Sequence, residues 1–242
     1  MITPRFFVEP VSETGATFPL PQAAAHHAAR VLRMRVGDTL ALFNGHGGEY
    51  HTHITAIDRD KVTVAIQAFD PIEREAPLAI TLMQGIAHGE RMDAVIQKAT
   101  ELGVARIVPV ACARSVTRLD AERADKRVAH WRSIAIAACE QCGRNRVPEI
   151  GAVATLESAL AHETAGLRLM LSPHASVSLR SIAQRPDGIT LLVGPEGGLT
   201  DAEEDAATAA GFRPIRLGPR VLRTETAGPA FIAGLLARWG DW

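Results

Sequence analysis

Two glycine-rich turns are the segments of this sequence best suited to chemistry. The first, LLVGPEGGLT at residues 191–200, places three glycines, a proline and a glutamate between an apolar run and a helix start. Backbone exposed by missing side chains suits hydrogen bonding to a flat heterocycle. The turn lacks the Lys-Ser/Thr of a P-loop, and its glycines at 194, 197 and 198 do not fit G-x-G-x-x-G. It is typical either of a cofactor loop or of a tight turn that feeds a capped helix.

The second turn, LGPRVLRTETAGPA at residues 217–230, also follows a strand-like run and precedes a helical one. It carries Gly218, Pro219, two arginines (Arg220 and Arg223) and a candidate N-cap at Thr226. The arginines alone would fit a solvated basic loop. Two such turns after adjacent parallel strands would lie together at the carboxyl edge of the sheet, where α/β folds bind ligands.

Candidate metal and redox groups are less convincing. The pair in CEQC, Cys139 and Cys142, falls late in a predicted long helix, where no helix N-terminus lowers a thiol pKa. No second Cys or His pair lies at zinc-finger spacing. His51 and His53 alternate on a predicted strand, but without a third ligand a solvent-facing strand is the favoured interpretation. We assign no metal.

Composition excludes several classes of protein. The 242 residues are 47% hydrophobic and 22% charged, with a net charge of −1. No apolar run approaches the ~20 residues of a membrane-spanning helix, and MITPRFFVEP is not a secretory signal. Three cysteines fit a reducing compartment. These features predict a cytoplasmic protein, while the balanced charge neither requires nor excludes a nucleic-acid partner.

The first seventy residues read as mostly β. Two strand-like runs flank Asn44-Gly45, a dipeptide that favours hairpin turns. KVTVAIQAF places Val62, Val64, Ile66 and Ala68 on one face at period two. PQAAAHHAARVLRM predicts a single short helix that starts at Pro21. Together these elements predict a small β-barrel, and the prolines in DPIEREAPLA mark a linker.

From about residue 78, strands and helices alternate. LAITLMQGI, ARIVPVAC, LRLMLS, ITLLV and FRPIRLG predict strands, and RMDAVIQKATELG predicts a helix that ends at Gly103 in a left-handed C-cap. Further helices are predicted over 124–142, 200–210 and 226–239, with Thr200 and Glu203 as a capping box. This alternation predicts the α/β class, with a mostly parallel sheet and helices on both faces.

Five segments in order resemble the RsmE family of bacterial 16S ribosomal RNA methyltransferases: RVLRMRVGD, IQKATELGV, AIAACEQCGRNRVPEI, LLVGPEGGLT and LGPRVLRTETA. The resemblance runs from about Arg5 to the C-terminus. It implies a PUA-like RNA-binding β-barrel over residues 1–72 and a SPOUT methyltransferase domain with a deep trefoil knot over 73–242. It also implies a homodimer that binds S-adenosylmethionine and methylates N3 of one uridine in 16S rRNA of the small (30S) subunit.

The resemblance also assigns residues. The implied cofactor contacts are Leu171, Ser172, Pro173, Val193, Gly194, Pro195, Gly197, Gly198, Leu217, Gly218, Arg220, Val221 and Leu222. The implied RNA contacts are Arg5, Arg30, Arg33, Arg114 and Arg144, with Arg35, Arg118 and Arg146 as further candidates. Arg30 and Arg33 could instead be simply solvated side chains of a helix. His88 stands where we expect members of the family to carry a Lys or Arg.

Methylation at N3 must overcome a poor nucleophile, because this nitrogen carries a proton at neutral pH. A base that removes the proton and a cation that stabilises the resulting anion would both help. We hypothesise that Arg223 is the cation and that Glu196 or Glu225 is the base, although either carboxylate could instead hold loop amides. Two alternatives stay open: a SPOUT enzyme for a ribose 2′-hydroxyl or another RNA base, and a non-catalytic ribosome-assembly factor.

Overall fold

The computed structural model describes residues 3–9, 14–59, 61–115, 121–163 and 166–242. The chain forms two structural units. The first comprises Met1–Glu75 and Cys139–Val147, and the second comprises Ala76–Ala138 and Pro148–Trp242. The segment Cys139–Val147 therefore belongs to the first unit, although it lies more than sixty residues after the predicted barrel. The predicted domains 1–72 and 73–242, by contrast, are each continuous in sequence.

A five-stranded sheet forms the framework of the first unit. Its strands are β1 (Arg5–Phe7), β2 (Thr17–Pro19), β3 (Thr39–Phe43), β4 (Glu49–Asp58) and β5 (Lys61–Asp70), in the order β1-β3-β4-β5-β2. β1 pairs with β3 in parallel, and the other pairs are antiparallel. The predicted turn at Asn44-Gly45 connects β3 and β4, and Gly45 has the positive φ that this turn needs, +84°.

The predicted apolar face of β5 is correct for Val62, Val64 and Ile66, which are buried, but wrong for Ala68, which is exposed. A register shift against β4 explains the difference, because Ile66 pairs with Thr52 whereas Ala68 pairs with His51. The extra residue on β5 reverses the side-chain alternation beyond it.

The predicted single helix of the first unit changes its winding partway. α1 (Gln22–His26) is α-helical and follows Pro21, and the turn His27–Val31 that continues it is π-helical, with Leu32 N–H donating to His27 O. Ala24, Ala25 and Ala28 face the core. The chain then leaves the helix through Arg33, a non-glycine residue with φ of +54°.

The second unit is built on a parallel sheet. Its strands are β6 (Ala79–Gly85), β7 (Arg106–Ala111), β8 (Glu149–Ile150), β9 (Ala154–Thr155), β10 (Leu167–Leu171), β11 (Gly188–Val193) and β12 (Arg213–Ile215). The order is β12-β10-β11-β6-β7-β8, with β9 also paired to β7, and every pair is parallel. The predicted α/β class is therefore confirmed, whereas β8 and β9 were not predicted.

Five helices of the second unit connect these strands. They are α2 (Glu90–Glu101), α3 (Ala121–Cys142, whose last residues belong to the first unit), α4 (Leu156–His162), α5 (Asp201–Ala209) and α6 (Thr224–Trp239). The predicted C-cap of α2 is confirmed, because Gly103 has φ of +80° and its N–H and that of Val104 bond back to Thr100 O and Ala99 O. Within the described ranges, no helix is long and apolar enough to cross a membrane.

The predicted adjacency of two strands in the parallel sheet is wrong. The glycine-rich turns do not follow adjacent strands, since β10 lies between β11 and β12. The turn after β10 therefore lies between them, and three loops meet at the carboxyl edge of the sheet, the third being the one that the resemblance implied through Leu171, Ser172 and Pro173. Pairing of this kind between distant segments cannot be read from local patterns.

Candidate active site

Three loops at the carboxyl ends of β10, β11 and β12 enclose a cavity of about 500 Å³. The cavity is lined by residues 171–174, 193–199, 215–218 and 220–223, together with Arg114, the first turn of α6, and Asp201 and Glu204 of α5. The residues implied above as cofactor contacts all line this cavity: Leu171, Ser172, Pro173, Val193, Gly194, Pro195, Gly197, Gly198, Leu217, Gly218, Arg220, Val221 and Leu222. The three candidate catalytic residues, Glu196, Arg223 and Glu225, line it as well.

Close packing fixes the shape of the GPEGG loop. Gly198 has φ of +70°, and its N–H donates to Pro195 O at 2.9 Å. A Cβ on Gly85, at the end of β6, would lie 2.6 Å from the ring of Pro195, so this approach requires glycine. The predicted capping box at Thr200 and Glu203 is present and starts α5 directly after the loop.

A buried hydroxyl connects the loop to α6. Thr224 Oγ1 donates to Gly194 O at 2.6 Å and accepts a hydrogen bond from Gln84 Nε2 at 2.9 Å. Gln84 is fully buried, and Thr224 is nearly so. The predicted N-cap at Thr226 is wrong: α6 begins at Thr224 after Arg223, and Thr226 is exposed. The sequence reasoning missed Gln84 and Thr224, although an amide at the end of an apolar strand is a detectable signal.

Arg91 at the start of α2 contacts both candidate carboxylates, and the sequence reasoning missed it. Its Nη1 donates to Glu196 Oε1 at 2.9 Å, and its Nε lies 4.0 Å from Glu225 Oε1. Glu196 also accepts the backbone N–H of His88 at 2.8 Å, so the His88 side chain is not needed for this contact. Burial alone would raise the pKa of Glu196, but the bonds from His88 N–H and Arg91 outweigh it and lower that pKa.

The arginines of the cavity differ in their bonding. Arg223 and Arg220 are exposed, and Arg223 has no ion pair or side-chain hydrogen bond within the described part of the chain. Arg114, implied above as an RNA contact, instead donates to Gly197 O and Leu199 O at 2.9 and 3.0 Å. Its guanidinium group thereby holds the GPEGG loop from the side of β7.

Two of the other implied RNA contacts are buried in the first unit. Arg5 pairs with Glu49, and Arg144, 3% exposed, forms a two-nitrogen contact with Glu75. Asn145 adds a further bond to Arg5. Burial of both guanidinium groups does not favour contact with RNA.

The remaining basic candidates differ in accessibility. Arg30 and Arg33 are exposed at the π-helical turn. Arg146 is also exposed and pairs with Glu73. Arg118 lies outside the described residues. Arg30, Arg33 and Arg35 are candidates of the first unit for contact with phosphates because their side chains are exposed.

The histidine and cysteine candidates can also be placed. Glu49 and Asp70 lie beside His51, with ligand atoms of all three within 4.8 Å of one another, whereas His53 is not in this group. Glu49 Oε2 already accepts bonds from Arg5 and Arg74, whose charges oppose a cation. Cys139 is buried, which raises the pKa of its thiol to about 12. A thiol of this kind is unreactive at neutral pH.

Comparison with known proteins identifies the family. Residues 74–236 match an RNA methyltransferase domain, and residues 20–67 match an RNA methyltransferase PUA domain. Ribosomal RNA small subunit methyltransferase E is 32% identical in Buchnera aphidicola, covering 98% of this chain and 97% of that protein, and 33% identical in Bacillus subtilis, covering 92% of each.

Two solved structures agree over their whole length. A putative methyltransferase of Legionella pneumophila with bound SAM is 39% identical (TM-score 0.96), and the ribosomal RNA small subunit methyltransferase E of Neisseria gonorrhoeae bound to S-adenosylmethionine is 38% identical (TM-score 0.92), with complete coverage of both chains in each case. This chain therefore belongs to the ribosomal RNA small subunit methyltransferase E family.

Proposed function

We propose that the protein transfers a methyl group from S-adenosylmethionine to N3 of one uridine in the 16S rRNA of the small ribosomal subunit. The observation that carries the proposal is the cavity formed by three strand-to-helix loops in a member of this family. Its volume of about 500 Å³ lies within the range of ~300–1,000 Å³ that is usual for small-molecule sites.

The lining of the cavity fits an adenosyl group. Gly218 has φ of +68° and open space where a Cβ would point, so its backbone is accessible from the cavity. A Cβ on Gly194 would lie only 3.0 Å from Leu199 N, so this position favours glycine. The backbone groups of the loop are therefore not covered by a side chain there. Val221 is 80% exposed, and with Leu217 and Leu222 it offers an apolar wall that a bound heterocycle would cover.

Arg223 is the residue we assign to the charge that develops on uridine. When bound, the cofactor supplies an electrophilic methyl group on a positively charged sulfur, whose bond to that carbon breaks with the electron pair left on sulfur. Loss of the N3 proton spreads negative charge over the two uracil carbonyl oxygens. The unpaired guanidinium group of Arg223 stabilises that charge because it faces the cavity and no described carboxylate neutralises it.

Arg30 and Arg33 are the residues of the first unit that we assign to rRNA phosphates. Both are exposed, and both lie within the segment that matches a PUA domain. Contacts of this kind make affinity fall as salt rises. The target uridine must also be unstacked or already single-stranded to enter the cavity of the second unit.

A homodimer is also part of the proposal. α6 is apolar over most of its sequence, TETAGPAFIAGLLARW. Phe231, Ile232 and Leu235 are buried, whereas Ala230 and Gly234 on other sides are only half-buried. A helix that is apolar all round is normally buried all round, and a second copy of the chain would cover the remaining surface. We place the protein in the cytoplasm, where its rRNA substrate is located.

Methyl transfer to unmodified 30S subunits followed by nucleoside mass spectrometry tests the proposal. We expect 3-methyluridine at one site. The variant Arg223→Ala should lose about 10²–10³-fold in rate while it still binds the cofactor. Arg213→Ala is a matched control, because Arg213 is exposed on β12 and does not line the cavity. A 2′-O-methyl product would overturn the assigned chemistry, and cofactor binding without any transfer would indicate a different substrate.

A further inference from the structure

The two glutamates of the cavity have different hydrogen-bonding states. The Glu196 carboxylate accepts bonds from His88 N–H and from Arg91. The Glu225 carboxylate accepts none from any described residue, and its Oε2 is buried without a partner. Glu225 lines the cavity with a side chain that is 23% exposed, so it has hydrogen-bonding capacity that a donor on a substrate can fill.

Arg91 creates this difference. Its guanidinium group bonds to Glu196 and stops 4.0 Å from Glu225, which is attraction without a hydrogen bond. Arg91 on α2 lies beside Glu225, and Glu196 in the GPEGG loop and Arg223 directly before α6 are charged residues that line the same cavity. Glu225 also lies in the first turn of α6, where the helix dipole favours a negative charge. Glu225 thus has a nearby cation but no hydrogen-bond donor among the described residues.

We propose that Glu225, and not Glu196, accepts the N3 proton of the target uridine. Arg91 is the positioning residue in this proposal, because it hydrogen-bonds to Glu196 and leaves Glu225 without a hydrogen bond from the described residues. In this step the N3–H bond breaks, its proton passes to a Glu225 oxygen, and the electron pair of N3 forms the new bond to the methyl carbon. The carbon–sulfur bond breaks with its pair left on sulfur, so charge and electrons balance.

Glu196 has a different task in this scheme. Its bonds to His88 N–H and Arg91 hold the GPEGG loop against the start of α2. Protonating it would weaken both bonds between the loop and the start of α2, so its use as a base would disturb the wall of the cavity. The lowered pKa of Glu196 agrees with a structural anion. This inference rests on the proposed function, because it assumes uridine N3 as the acceptor.

The test compares Glu225→Gln with Glu196→Gln, two isosteric changes. Cofactor affinity is measured by calorimetry, and single-turnover methyl transfer is measured on subunits assembled from rRNA made with uridine or with 5-fluorouridine, whose N3–H is more acidic. Glu225→Gln should bind the cofactor within about threefold of the wild type and lose ~10²–10⁴-fold in transfer rate. That loss should shrink at least about tenfold with 5-fluorouridine or at higher pH, because a more acidic N3–H needs less help from a base.

Two further variants complete the design. Glu157→Gln is the control, because Glu157 is an exposed carboxylate in the first turn of α4 and does not line the 500 Å³ cavity. Glu196→Gln should weaken cofactor binding, because it loosens the GPEGG loop that lines the cavity. Arg91→Ala should weaken cofactor binding in the same way, and Arg91→Lys should restore part of it.

The outcomes separate the inference from the function it rests on. A loss of transfer rate that shrinks with 5-fluorouridine in Glu196→Gln but not in Glu225→Gln would overturn the inference. Glu225→Gln with the wild-type rate would also overturn it, and both results leave the proposed function standing provided that the wild type forms 3-methyluridine. Failure of the wild type to form 3-methyluridine would instead remove the proposed function.

Discussion

The buried hydroxyl of Thr224 offers the sharpest test of how the loops are held. It bonds to Gly194 O at 2.6 Å and to Gln84 Nε2 at 2.9 Å. Thr224→Val replaces the hydroxyl with a methyl group of nearly the same size, so packing is preserved while both bonds are lost. Any change in stability then reports the bonds rather than a cavity.

The expected cost follows from what the two partners retain. A buried polar group without a partner costs ~1–3 kcal/mol. In Thr224→Val, Gln84 Nε2 keeps a hydrogen bond to Gly85 O at 3.0 Å and a weaker contact with Gly194 O at 3.5 Å. Neither Gln84 Nε2 nor Gly194 O is therefore left without any partner. We expect a loss of about 2 kcal/mol, which is a change of about 30-fold in the unfolding equilibrium.

Thr226→Val is the matched control, because Thr226 lies two residues later in the same helix and is exposed. Its change should stay within ~0.5 kcal/mol. Urea unfolding of both variants should be followed by circular dichroism and by tryptophan fluorescence, since a chain with two units must be checked for coincident transitions. Equal midpoints for Thr224→Val and the wild type would refute this reasoning, and a larger loss for Thr226→Val would restore Thr226 as the helix cap.

Four further predictions follow from single residues. Arg144→Ala should lower the free energy of unfolding by about 3 kcal/mol in urea titrations, because it leaves Glu75 without its buried partner. Arg33→Gly should raise stability by about 0.5–1 kcal/mol by relieving φ of +54°, and should reduce the salt slope of rRNA binding by about 1. Cys139, whose thiol pKa is raised to about 12 by burial, should escape iodoacetamide at pH 8 until the protein is unfolded, as peptide mass spectrometry would show. The lowered pKa of Glu196 means that its stabilisation is present above its usual value of 4.5 and is lost as the pH falls, so the stability difference from Glu196→Gln, below about 1 kcal/mol, should vanish in acid titrations.

Local patterns in the sequence predicted the elements around the site well. The helix α2, the left-handed cap at Gly103 and the capping box at Thr200 all depend on residues within one or two helical turns, and all three predictions are confirmed. The class of the second unit is confirmed for a similar reason, because alternating strands and helices leave a parallel sheet as the favoured arrangement.

The errors share a common cause, which is competition from distant partners. Ala68 turned outward because a bulge against β4 shifted the register. α6 begins two residues before the predicted cap because the Thr224 hydroxyl bonds to the loop after β11 rather than capping its own helix. Arg144 carries the charge expected of an RNA contact, but it is buried against Glu75, a partner sixty-nine residues away in the chain.

The sequence by itself determined most of the helices and strands, the glycine-bearing loops and, through its resemblance to one family, most of the residues that line the cavity. These depend on residue type and on spacing along a few turns of chain. Only the tertiary structure decided that β10 separates β11 from β12, that Gln84 and Thr224 hold the loops, and that Arg91 hydrogen-bonds to Glu196 while Glu225 has no hydrogen-bond donor among the described residues. Such contacts join segments far apart in sequence, so packing and burial select them, and no local periodicity encodes them.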